Sequence, residues 1–130
     1  MTDRQPRVLV VDDELDFLEL FTKRFQRRGL DVASCSNGPD ALRYLDEHEM
    51  DVVVLDVRMP KMDGIEVLKE IKKRHPAVQV IMLTGHGSVN SGIQGMSHGA
   101  YDYVMKPFNL DDLMGRITQA VERKRLQEGH

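Results

Sequence analysis

The chain has 130 residues, the length of one ordinary domain. Its 41% hydrophobic and 30% charged residues exclude a disordered chain, and its net charge of −3 argues against a nucleic-acid-binding surface. No apolar run approaches the ~18 residues of a membrane span. Residues 1–6 also lack the basic-then-apolar pattern of a signal peptide, so a cytoplasmic location is expected.

Val8–Val11 is a short β-branched run bounded by charged residues, which predicts a strand buried on both faces. Leu15, Leu18, Phe21, Thr22 and Phe25 then recur at helical spacing, and Gly29 supplies a stop. Asp31–Cys35 reads as a second strand whose polar residues suit a sheet edge. Cys35 is the only cysteine, which excludes an internal disulfide and a thiolate zinc cluster, and it is expected in the core. Pro39 fits the first turn of a second helix carrying Ala41, Leu42 and Leu45. Val52–Leu55 is a third, wholly apolar strand.

Asp63 and Glu66 have the spacing of a capping box before Ile65, Val67, Leu68 and Ile71, and Pro76 ends that helix. Val80–Leu83 is the fourth strand. The fourth helix, around Val89 to His98, is weak, because Gly92 and Gly95 each cost ~1 kcal/mol relative to alanine. It is expected either to be held by packing of Val89, Ile93 and Met96 or to be an element that moves. Tyr101–Met105 is a second edge strand, and Asn109 caps a last helix with Asp111 and Asp112 in its first turn. That helix ends in the basic stretch Ala120–Gln127, which reads as a solvated helix end or the start of a linker helix. The methionines read mainly as core filling, with a partner surface as the alternative for Met59 and Met62. The histidines show no metal-ligand spacing.

Strands alternating with helices predict an α/β fold with a parallel sheet, and functional residues then follow the carboxyl ends of the strands. With the three most apolar strands central, the sheet order is 2-1-3-4-5. Asp12, Asp13 and Glu14 follow the first strand, and Asp56 and Val57-Arg58-Met59-Pro60 the third. Thr84-Gly85-His86-Gly87 follows the fourth and Lys106-Pro107 the fifth. Asp12, Asp13 and Asp56 would face one crevice. Their mutual repulsion calls for a hard divalent cation such as Mg²⁺, which takes oxygen ligands.

These pieces together resemble the receiver domain of two-component response regulators, over about residues 7–124. The resemblance implies a flavodoxin-like doubly wound (βα)5 three-layer sandwich. It implies Asp56 as the phosphoacceptor, with Mg²⁺ (or Mn²⁺) held by Asp12, Asp13, Asp56 and the backbone carbonyl of Arg58. Lys106, Thr84 and Gly85 would receive the phosphoryl group, Thr84 and Tyr103 would form the switch, and the Lys106–Pro107 bond would be cis. Arg58 and His86 would flank the site, and either tune the lifetime of the acyl phosphate or point into solvent. Such a domain is not an enzyme acting on outside substrates, although it assists its own phosphorylation and dephosphorylation.

The implied partners are a sensor histidine kinase or phosphotransfer protein and an output domain or downstream protein. A dimer through the helix 4/strand 5/helix 5 face is also implied, with no direct contact to nucleic acid or membrane. The Arg58-Met59-Pro60 and Thr84-Gly85-His86-Gly87 segments resemble receivers of nitrogen-regulator-type transcription activators. Residues 1–124 are expected to form the receiver, with 125–130 as helix end, linker or tail. A flavin-phosphate carrier is disfavoured because Asp12-Asp13-Glu14 would repel phosphate. A magnesium-dependent aspartyl-phosphate phosphatase is disfavoured because Arg58 stands where its acid/base aspartate would be.

Overall fold

The computed structural model describes residues 4–59, 62–85 and 89–128. Among the described residues, five strands and five helices alternate. They are β1 (Arg7–Val11), α1 (Leu15–Gln26), β2 (Asp31–Cys35), α2 (Gly38–Glu47), β3 (Val52–Asp56), α3 (Gly64–Arg74), β4 (Gln79–Thr84), α4 (Val89–Ser97), β5 (Asp102–Met105) and α5 (Leu110–Glu128). The strands form one parallel sheet in the order β2-β1-β3-β4-β5. This is the doubly wound arrangement expected from the apolar runs.

The two-residue period of the strands divides the core in two. Val8, Val10, Val52, Val54, Ile81 and Leu83 face one way, against Leu18, Phe21 and Phe25 of α1 and Leu113, Ile117 and Val121 of α5. Leu9, Val11, Val53, Leu55, Val80 and Met82 face the other way, against Leu42 and Leu45 of α2 and Val67, Leu68 and Ile71 of α3. The strands β3 and β4 are buried at every position, whereas the edge strands β2 and β5 are only partly covered.

The caps lie where the residue types predict. The Asn37 side chain accepts from the Asp40 amide with proline in the first turn of α2, and Asn109 accepts from the Asp111 and Asp112 amides. Asp63 accepts from the Ile65 and Glu66 amides, which is half of a capping box, while the Glu66 carboxylate turns to Lys69 at 3.8 Å. Gly29, with φ +92°, closes α1 in the left-handed region.

Several expectations need correction. The helix α4 is not packed through Ile93 and Met96, which are 58% and 44% exposed. It approaches the sheet at Gly95, where an added Cβ would lie 3.0 Å from Met82 Cγ. A glycine that weakens the helix intrinsically is what admits it to the sheet. The side chain of Val89 lies outside the described residues. Met105 is also partly exposed, so only some of the methionines fill the core, and Leu15 points into solvent. Cys35 is half-buried rather than fully internal, and that burial raises its thiol pKa. The basic end of α5 is not uniformly solvated, because Lys124 is 1% exposed. β5 begins at Asp102, one residue later than expected.

Candidate phosphate and metal site

The sheet order brings the ends of β1, β3, β4 and β5 side by side. Asp12 follows β1 and is fully buried. Its Oδ1 accepts from the Glu14 amide at 3.0 Å, and its Oδ2 accepts from Lys106 Nζ at 3.1 Å. Asp13, the next residue, is exposed. Asp56 ends β3, with Oδ1 accepting from the Arg58 amide at 3.3 Å and Oδ2 3.8 Å from Lys106 Nζ. One carboxylate oxygen from each of Asp12, Asp13 and Asp56 lies within 4.8 Å of the others.

The backbone holds these groups in place. The Val57 amide bonds the Leu83 carbonyl and the Lys106 amide bonds the Thr84 carbonyl at 2.7 Å, joining the β3, β4 and β5 ends. Gly64 packs directly behind Asp56. A Cβ there would lie 2.6 Å from the Asp56 carbonyl oxygen, so only glycine fits without moving the β3 end. The Lys106–Pro107 peptide bond is cis.

The electrostatics match the crowding. Burial pushes the Asp56 carboxyl up to about 6, and the charge of Asp12 adds to the effect. Lys106 and the Arg58 amide pull the other way, and Asp13 raises it a little further. A carboxyl that holds its proton more tightly folded than unfolded favours the fold while protonated. That contribution is complete below about pH 4 and is lost as the pH rises through about 6. Without divalent cations, Asp56→Asn is therefore expected to stabilise the fold by about 1–2 kcal/mol at neutral pH, after discounting for the open side of the site. Urea titrations across the acid range should show that gain shrinking to nothing near pH ~4. A constant gain at every pH would contradict the shift.

The donor set suits a hard cation, since three clustered carboxylates offer oxygen ligands and excess negative charge. Thr84 Oγ1 is buried and has no hydrogen-bond partner among the described residues. An orphaned buried hydroxyl is costly unless a ligand answers it. A Cβ at Gly85 would meet nothing within 4 Å, so there is open space beside Thr84. Arg58 is exposed, and Tyr103 is half-buried against the core face that carries α2 and α3. His86 lies outside the described residues, as do Pro60 and Gly87.

One contact was not foreseen. The Phe17 ring lies 5.0 Å from Lys106 Nζ. Phe17 falls outside the helical stripe of Leu15, Leu18 and Phe21, and only its i,i+4 relation to Phe21 signals an aromatic pair.

The chain matches the family model of the response regulator receiver domain over residues 8–118. It is 37% identical, over 98% of its length, to the transcriptional regulatory protein ZraR of Klebsiella oxytoca. It is 34% identical, over 93% of its length, to the DNA-binding transcriptional regulator NtrC of Escherichia coli K12. The chain spans 29% of the first and 26% of the second. A response regulator receiver domain protein from Clostridium thermocellum superposes with a TM-score of 0.90 at 38% identity, covering 94% of this chain and 98% of that one. The nitrogen-regulator likeness of the loop segments is thus matched by the relatives.

Proposed function

This chain belongs to the response regulator receiver domain family, and on that premise we propose that it is the phosphoacceptor switch of a two-component phosphorelay, with Asp56 as acceptor. One observation carries the reading. Three carboxylates and the Lys106 ammonium converge on a single crevice, and the buried Thr84 hydroxyl at the end of the neighbouring strand β4 has no partner among the described residues.

An Asp56 carboxylate oxygen attacks the phosphorus of a phosphohistidine on the kinase or phosphotransfer partner. The O–P bond forms, the P–N bond breaks, and the imidazole leaves with the electron pair and takes a proton from water. Asp12, Asp13, Asp56 and the Arg58 carbonyl would hold Mg²⁺ or Mn²⁺. A bound cation neutralises the carboxylates and the charge on the transferred group. Lys106 leaves Asp12 for a phosphoryl oxygen, Thr84 donates its hydroxyl to another, and the space at Gly85 accommodates the group. Arg58 and His86 stand as candidates for tuning the lifetime of the acyl phosphate.

Phosphorylation adds roughly −1.5 to −2 charges and three acceptor oxygens. Thr84 moving toward them vacates space into which Tyr103 turns, and the α4–β5–α5 face repacks. Ile93, Met96 and Met105 are exposed large apolar residues on α4 and β5, which supports this face as the contact with an output partner or a second copy. The receiver is assigned to residues 1–124, with 125–130 as helix end, linker or tail, and the location to the cytoplasm. The output is a further domain or a downstream protein.

Beryllofluoride with Mg²⁺, which mimics the phosphoryl group, tests the switch by amide NMR. The expected result is large shifts on β5 and α5 as well as at the Asp56 crevice, with Thr84→Ala retaining the crevice shifts and losing those at Tyr103. Shifts confined to the crevice in the unsubstituted chain would contradict the switch.

A further inference from the structure

We infer that Phe17 is a positioning residue, whose ring face holds the Lys106 ammonium at the mouth of the crevice so that it can pass from Asp12 to the phosphoryl group on Asp56. The inference rests on the assignment of Lys106 to the phosphoryl group made above and adds a residue to it.

Lys106 Nζ lies between two carboxylates, 3.1 Å from Asp12 Oδ2 and 3.8 Å from Asp56 Oδ2, and its side chain is 26% exposed. Its long flexible stem could equally carry the charge out to water. The Phe17 ring centroid stands 5.0 Å from the ammonium, within the ~6 Å over which a ring face attracts a cation. The ring is itself fixed. Phe108 stands perpendicular to it at 6.1 Å, and Phe21 lies 5.8 Å away, so two further aromatics set its plane. Phe17 is in the first turn of α1, directly after the Asp12–Asp13 loop. The element that places the carboxylates therefore also places the ring. Beside it, Phe17, Leu20, Phe108 and Lys106 line a largely apolar groove of about 550 Å³, so the ring has room on one side.

An aromatic face is suited to this place. A fourth carboxylate would hold the ammonium more strongly, but it would add charge to a crevice that already carries three and must accept an anion. A ring attracts the cation without a full charge and without a directional hydrogen bond that must break when the ammonium moves.

The test varies the ring's electrostatics at constant shape. Phenylalanine at position 17 is replaced by analogues of increasing fluorination, which progressively cancel the negative face. The rate of Asp56 phosphorylation by acetyl phosphate with Mg²⁺ is then measured. The expected result is a monotonic fall across the series, reaching about threefold to tenfold. Phe17→Leu should fall similarly and Phe17→Trp should keep the rate. In the unmodified chain the Lys106 Hε resonances should lie upfield from ring current, and Phe17→Leu should return them to ordinary values.

A flat rate across the fluorinated series, with the unmodified chain phosphorylated, overturns this inference alone. Ordinary Hε shifts in the unmodified chain overturn it too. An unmodified chain that gains no phosphoryl group overturns the underlying assignment, and this inference with it.

Discussion

Replacing Asp51 with alanine is expected to cost the fold about 3–5 kcal/mol, while Lys124→Met costs about 1 kcal/mol or less. Both residues are buried at the end of the sheet opposite the acidic crevice, with Lys124 Nζ 3.5 Å from Asp51 Oδ1. Burial alone would raise the Asp51 pKa. Hydrogen bonds from Arg4, at 2.9 and 3.1 Å, and from the Arg7 amide, at 2.8 Å, outweigh it and hold the carboxyl below its ordinary value. Removing Asp51 strands the Arg7 amide and leaves the buried ammonium, among the described residues, with the Glu128 carboxylate on the surface side. Removing Lys124 leaves Asp51 with Arg4 and Arg7, and methionine refills the volume. Equilibrium urea unfolding of both variants measures the difference. Equal costs, or a larger cost for Lys124→Met, would contradict this division. Because the pair ties the last turns of α5 to the start of β3, loss of Asp51 should also fray the end of α5 in hydrogen exchange.

That pair shows where sequence reading stops. The strand order is legible because β1, β3 and β4 each contain a run of four apolar residues, while β2 and β5 carry the polar residues of edges. Once the order is known, Asp12, Asp13, Asp56, Thr84 and Lys106 follow as the residues at the carboxyl ends of neighbouring strands. Lys124 sits in a charged stretch whose pattern predicts a solvated helix end or the start of a linker helix. Its burial depends on where α5 crosses β3, which no local pattern records. The same holds for α4. Its apolar Ile93 and Met96 suggest a packing face, but the absence of a side chain at Gly95 decides which face approaches Met82. Phe17 carries no local signal for Lys106, because the two are 89 residues apart and meet only in the folded chain.

The largest chemical effect is expected at Asp56. Asparagine has nearly the shape of aspartate, but its amide oxygen is a poor nucleophile and cannot form a stable acyl phosphate. The variant should fold, and without divalent cations at neutral pH it should be the more stable of the two, because it lacks the charge that burial and Asp12 disfavour. Loss of labelling therefore cannot be assigned to unfolding. Intact-mass spectrometry after acetyl phosphate and Mg²⁺ decides the central claim. The unsubstituted chain is predicted to gain one phosphoryl group that is lost on hydroxylamine treatment and absent when Mg²⁺ is chelated, and Asp56→Asn to gain none. An unsubstituted chain that stays unlabelled, or an Asp56→Asn chain labelled to the same extent, would contradict the account.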